Sequence, residues 1–167
     1  MNRTMDYAFL TGILTFWDKL TPQQQELLKG RVYTAKYKAG ENVHGGKTDC
    51  LGAIIVKEGE LRTYMLSEEG REITLFRLLP GNMCILSAAC ILNSITFDVF
   101  IDAEADSELY IINSSVYEQI CNENIYAQNF TYKLLTDRFS DVMWAMEQLL
   151  FMSFDKRLAI FLTDEAI

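Results

Sequence analysis

The chain has 167 residues, half of them apolar, with 23 acidic against 15 basic side chains and a net charge of −8. That balance fits one compact domain, or a domain with an extended helical arm, and excludes a disordered chain. The acidic surplus repels phosphate backbones, so these residues alone make a poor nucleic-acid surface.

Residues 6–20 place Phe9, Leu10, Ile13, Leu14, Phe16 and Trp17 at a helix-like spacing. TPQQQELLKG is a second helix: Thr21 is its N-cap, Pro22 opens the first turn and Gly30 stops it. After Gly30 the period becomes alternating. RVYTAKYKAGENV reads as a first strand that ends in a turn at Gly40. CLGAIIVKEGELRTYMLSEEGREITLFRLLPGN reads as three strands punctuated by KEGE, SEEG and LPGN, and further strands follow at about 97–103 and at 107–112. Short strands separated by glycine turns predict a sandwich or barrel with few open edges.

NSSVYEQICNEN opens with capping residues and predicts a short helix. From about Ile125 to Met152 there is neither proline nor glycine, which predicts one long helix. Along it, Tyr132, Leu135, Phe139, Val142, Met146 and Leu149 form a row stepping by three and four, the spacing of a two-helix seam. Met143, Trp144 and Leu150 supply a second apolar stripe, so the helix is expected to serve both a homodimer and its own barrel; the alternative is a helix that packs on its barrel alone. FMSFDKRLAIFLTDEAI starts a last helix, with Ser153 as N-cap, and runs helical to Ile167 without a stop signal, so the chain is expected to be the N-terminal part of a longer protein. The expected units are 1–30 (N-terminal helices), 31–112 (barrel), 113–152 (short and long helices) and 153–167 (the start of a connecting helix).

The most apolar stretch, VMWAMEQLLFM, is interrupted by Glu147 and Gln148, and the N-terminus has no cleavage-site pattern. These features predict a cytoplasmic protein without a membrane partner. Cys50, Cys84, Cys90 and Cys121 lie apart without a CxxC pair, as reduced, mostly buried thiols do.

A helical N-terminus, a strand array containing EGELRTY, a PGN break and a long helix leading to RLAIFL follow in an order that resembles the CRP/FNR family of transcription regulators. The resemblance runs from about Phe16 to the end of the chain. It implies a mainly β fold with α elements, a double-stranded β-helix (jelly-roll) barrel followed by a long dimerisation helix. It also implies DNA binding through a winged helix-turn-helix that is missing from this chain.

Family members that bind cyclic AMP carry Gly-Glu after the PGN turn and Arg-Ser or Arg-Thr before the next strand: the arginine forks onto the phosphate and the glutamate accepts from the ribose. Aligned on the turn, Ile85 and Leu86 stand at the Gly-Glu pair. Aligned on the strand ending DAE, Phe97 and Asp98 stand at the Arg-Ser pair. Val142 and Met143 fall where the long helix would offer hydroxyls to the purine. A phosphate buried there without a cation would cost several kcal/mol, so the effector is expected not to be cyclic AMP. The expected occupants are the chain's own Leu86, Ile91, Leu92, Ile95 and Phe97; the alternative is an open apolar pocket for a small hydrophobic or aromatic effector, with Ser87, Thr96 and Asp98 as its polar contacts.

Other chemistry finds no support in the residue pattern. An iron–sulfur site of the family's oxygen sensors needs clustered N-terminal cysteines, and the first cysteine is Cys50. Cys84 and Cys90 are six residues apart and read as inert thiols rather than a redox pair. His44, the only histidine, is expected in an exposed glycine-flanked loop, which suits neither haem, a cupin-type metal site nor a catalytic triad. The acidic pairs Glu68–Glu69 and Asp102–Glu104 read as solvated faces. No cofactor and no catalysis are expected. The reading is the sensor and dimerisation part of a DNA-binding regulator; the alternative is a stand-alone ligand-binding or interaction module without DNA binding.

Overall fold

The computed structural model describes residues 5–46, 51–88 and 97–164. Helix α1 (Tyr7–Ile13) is capped by Asp6, whose carboxylate accepts from the Phe9 amide at 3.0 Å. The helical row does not run on to residue 20: the chain turns at Leu14 and resumes as a 3-10 turn over Trp17–Lys19. The break lets Leu10, Leu14, Phe16 and Leu20 all sink into one core. A continuous helix would put Phe16 about 200° around from Leu14. Helix α2 (Pro22–Lys29) has the expected start, a full capping box between Thr21 and Gln24 with Pro22 in the first turn.

Eight strands follow: β1 (Val32–Tyr37), β2 (Asn42–Gly45), β3 (Ala53–Glu58), β4 (Leu61–Leu66), β5 (Glu72–Leu78), β6 (Met83–Cys84), β7 (Phe100–Ala103) and β8 (Ser107–Ile112). They form two four-stranded antiparallel sheets, ordered β1-β8-β3-β6 and β2-β7-β4-β5. This is the jelly-roll architecture. The three strands expected from residues 50–82 are β3, β4 and β5, and β8 has the expected span. The expected strand at 97–103 is shorter: Phe97, Asp98 and Val99 precede β7. Strands β2 and β6 were not legible, because NVHG and MC are too short to show a period.

His44 lies not in an exposed loop but in β2, 1% exposed and opposite Ile101 of β7. A register shift between Asn42 and His44 lets both Val43 and His44 turn inward, which strict alternation forbids.

The first sheet separates two cores. Alternation sends Ile54, Val56, Leu109 and Ile111 into the barrel interior, with Leu61, Phe76, Leu78, Leu86 and Ile101. Their neighbours Ala53, Ile55, Tyr110 and Ile112 face the helical layer, where they meet Leu10, Leu14, Leu28, Val116, Tyr117 and Ile120. Each fully buried Leu or Ile stabilises the fold by roughly 1.5–3 kcal/mol. The Tyr110 hydroxyl also accepts from the Asp6 amide at 2.9 Å, tying the N-terminal segment to β8.

Helix α3 (Ser114–Glu123) ends and α4 (Ile125–Phe151) begins at the same residue, Asn124. Its amide caps α3, its side-chain oxygen accepts from the Tyr126 and Ala127 amides, and its Nδ2 donates to the Lys19 carbonyl at 2.9 Å. One residue thus fixes the angle at which the long helix leaves the barrel. Helix α5 (Phe154–Asp164) starts beyond Met152, with the Arg157 amide donating to the Ser153 carbonyl at 3.1 Å. No helix among the described residues is long and apolar enough to cross a membrane.

Candidate functional site

After Cys84 the chain makes a 3-10 turn over Leu86–Ala88. The turn parts the expected pocket residues. Ile85 points into the helical layer with Ile55 and Met83, on the far side of the sheet from the barrel interior. Leu86 enters the interior itself. Ser87 is buried, and its hydroxyl donates to the Gly52 carbonyl at 2.6 Å, so it holds backbone instead of offering a contact to a ligand. Phe97 is 38% exposed and Asp98 is exposed, both at the surface just before β7. Thr96, with Ile91, Leu92, Ile95 and Cys90, lies outside the described residues.

Helix α4 contributes differently from expectation. Val142 packs on the barrel-interior cluster, so Leu86 and Val142 are the two expected pocket residues that meet there. Met143 does not join them. One residue advances a helix by about 100°, which carries Met143 to the outward face beside Phe139 and Met146. Of the expected seam residues, Leu135 and Val142 pack partly buried against the barrel, while Tyr132, Phe139 (65% exposed), Met146 and Leu149 are open to solvent in the single chain. The outward row is Tyr132, Thr136, Phe139, Met143, Met146 and Leu150, stepping 4, 3, 4, 3, 4.

The electrostatics of the barrel follow from its lining. Among the described residues no lysine or arginine is buried, and the interior cluster is apolar, with His44 of β2 and Thr63 of β4 the buried polar side chains of the second sheet. Burial pushes the Cys84 thiol up, while the Arg138 charge acts on it in the opposite sense. Arg138 stands on α4 with its guanidinium 4.8 Å from the centre of the Phe76 ring, and its Nη1 donates to Asp141 at 2.7 Å. The aromatic contact holds the cation beside the barrel wall. Among the described residues no group of histidine, cysteine and carboxylate side chains is arranged to hold a metal ion. Asp102 accepts from Asn42 Nδ2 at 2.8 Å and Glu104 pairs with Arg77 at 2.7 Å, so those carboxylates are part of the sheet surface.

The family described as the cyclic nucleotide-binding domain matches residues 34–124. Among solved structures, the chain is 45% identical to a protein of Eubacterium rectale ATCC 33656 assigned to the transcriptional regulators of the CRP/FNR family. The match covers 92% of this chain and 71% of that one, with a TM-score of 0.89. The c-di-GMP responsive global regulator CLP of Xanthomonas campestris matches at 18% identity over 86% of this chain and 72% of its own, TM-score 0.67. The sensor domain of the transcriptional regulator DNR of Pseudomonas aeruginosa matches at 17% identity over 90% of this chain and 100% of its own, TM-score 0.61. The last two likenesses are of fold alone. Among curated proteins nothing matches.

Proposed function

Because the chain belongs to the CRP/FNR family of transcription regulators, we propose that it works as the sensor and dimerisation part of a homodimeric, cytoplasmic regulator whose effector is not cyclic AMP. In this reading residues 31–112 sense, 113–152 join two copies, and DNA is bound by a domain following 153–167. The observation that carries it is the two-sided α4. Leu135 and Val142 serve the barrel, while the row from Tyr132 to Leu150 is apolar but for Thr136, outward and uncovered in the single chain. A helix with a second apolar face calls for a second copy, with aromatic and methionine knobs entering the partner's holes.

The effector statement is supported by the chemistry of the interior. A cyclic phosphate needs a fork of donors, and the positions aligned with the family's phosphate-binding pair are Phe97 and Asp98. The signal would act by shifting how two copies of α4 pack, and α5 would pass that shift to DNA-binding domains set roughly 34 Å apart, one turn of the duplex. The net charge of −8 favours a second reading, an interaction module that never meets DNA. Two measurements test the proposal. Sedimentation of the chain is expected to give a dimer, and a monomer at all concentrations would refute it. The reading frame beyond Ile167 is expected to encode about sixty more residues rich in Lys and Arg, whereas a stop codon there would favour the module.

A further inference from the structure

A cavity lies outside the barrel, where β5, the C-terminal half of α4 and α5 converge, with a volume of about 670 Å³. That is within the range of small-molecule sites, roughly 300–1,000 Å³. Three arginines line it, Arg77 from β5, Arg138 from α4 and Arg157 from α5, and the Nε of Arg138 and of Arg157 is buried with no hydrogen-bond partner. Native proteins seldom leave a buried charged donor unmatched, so two in one cavity point to an acceptor that completes them.

The other charges around the cleft are matched. Glu72 is paired with Arg62, Asp141 with Arg138, and Arg77 with Glu104 and Glu60. Arg157 forms no ion pair with any described residue, and the side chains lining the cleft are Arg77, Arg138 and Arg157 against Glu72 and Asp141, which leaves one positive charge over. A single surplus charge matches a monoanion. A dianionic phosphate ester would bring an excess negative charge into a protein already at −8. The remaining wall is apolar, with Trp144 and Phe161, each about half exposed, beside Ile160 and Leu149. A ligand body laid against them would cover surface that now faces water.

We infer that this cleft binds a small organic monocarboxylate with a flat or aliphatic apolar body, its carboxylate on the Arg138 and Arg157 guanidinium groups and its body against Trp144 and Phe161. The bound molecule bridges α5 to α4 and β5. It therefore sets the angle of the element that leads out of the sensor. That consequence rests on the regulator reading above; binding itself does not, so the two fail separately.

The protein has two tryptophans, and Trp17→Phe leaves Trp144 as the sole reporter inside the cleft. This variant is titrated with phenylacetate and with decanoate, and in parallel with 2-phenylethanol, the neutral analogue, and phenyl phosphate, the dianion. At least one carboxylate is expected to change Trp144 emission saturably with a dissociation constant below about 1 mM, and both controls to bind about tenfold weaker or worse. Arg157→Gln is expected to weaken the carboxylate by about tenfold, with circular dichroism and melting unchanged, whereas Arg31→Gln, between α2 and β1, leaves it unaltered. Arg157→Lys is expected to recover only part of the loss, because a lysine keeps the charge and loses the fork. Saturation by neither carboxylate up to about 10 mM, equal binding of 2-phenylethanol, or full binding by Arg157→Gln would overturn the inference.

Discussion

Glu108 is the one buried carboxylate among the described residues, held by Lys57 at 2.6 Å and Lys36 at 2.9 Å. Hydrogen bonds from Lys57 and then Lys36 keep its carboxyl below the usual glutamate value of 4.5. A depressed carboxylate stabilises the fold above its unfolded value and stops doing so as pH falls through the lower folded one. Glu108→Gln is therefore expected to cost roughly 2 kcal/mol at neutral pH in urea unfolding, with the gap to the parent closing below about pH 4. Lys57, raised by the same hydrogen bond, adds stability that is lost only as pH climbs past its usual 10.5. A second residue pair separates two costs of left-handed backbone. Gly59 (φ +91) and Gly70 (φ +79) both turn hairpins, but a Cβ on Gly59 would collide with Ser107 Oγ and the Asp106 carbonyl, while one on Gly70 meets nothing. Gly59→Ala is expected to cost about 3 kcal/mol or more and Gly70→Ala about 1 kcal/mol, read from denaturation midpoints. At this scale the turns were legible in KEGE and SEEG because glycine has a stereochemical reason to be there. The burial of His44 was not, since GENVHGG carries every mark of a loop and only the register shift against β7 turns it inward.

The helix α4 shows why spacing alone misplaces a face. Tyr132, Phe139 and Met146 belong equally to a row completed by Leu135, Val142 and Leu149 and to one completed by Thr136, Met143 and Leu150. Both rows alternate threes and fours. What separates them is the barrel, which takes up Leu135 and Val142 and leaves the second row outward. That contact is tertiary and has no trace in the local pattern. The distinction makes a paired expectation. Phe139→Asp is expected to leave a folded monomer in sedimentation, since a charge facing the partner helix has no compensation. Val142→Ala is expected to keep the dimer while lowering stability by about 1 kcal/mol through lost packing on the barrel. If Phe139→Asp sediments as a dimer, the outward row is not the interface. The capped starts of α2 and α3 were legible because Thr21 and Asn113 act locally, whereas the cap that Asn124 gives α4 was not read, nor was the break after α1, which is imposed by the core that Phe16 joins.

For the whole molecule, the order of helices, sheets and long helix was readable from the alternation of periods and from the glycine turns, and so was the family likeness. The pocket was only half readable. Apolar side chains in place of the phosphate fork were visible in CILSAACILNSITFDVF, but which of them enter the barrel depends on the 3-10 turn that sends Ile85 one way and Leu86 the other. A ligand present at about one hundred times its dissociation constant stabilises the folded state by about 2.7 kcal/mol, which a melting curve resolves easily. Cyclic AMP at millimolar concentration is expected to leave the midpoint where it was; a clear upward shift would mean that the interior accepts a nucleotide after all.

Strand β8 lies between β1 and β3, and all six of its residues are buried, because one of its faces belongs to the barrel and the other to the helical layer. Neither half of the molecule has a private floor. Fraying the helices would strip β8 from one side, and loosening the barrel would strip it from the other. The amides of Leu109, Tyr110 and Ile111 should consequently trade hydrogen for deuterium only when the entire domain opens, at the slowest rate in the protein. The two layers would then melt as one.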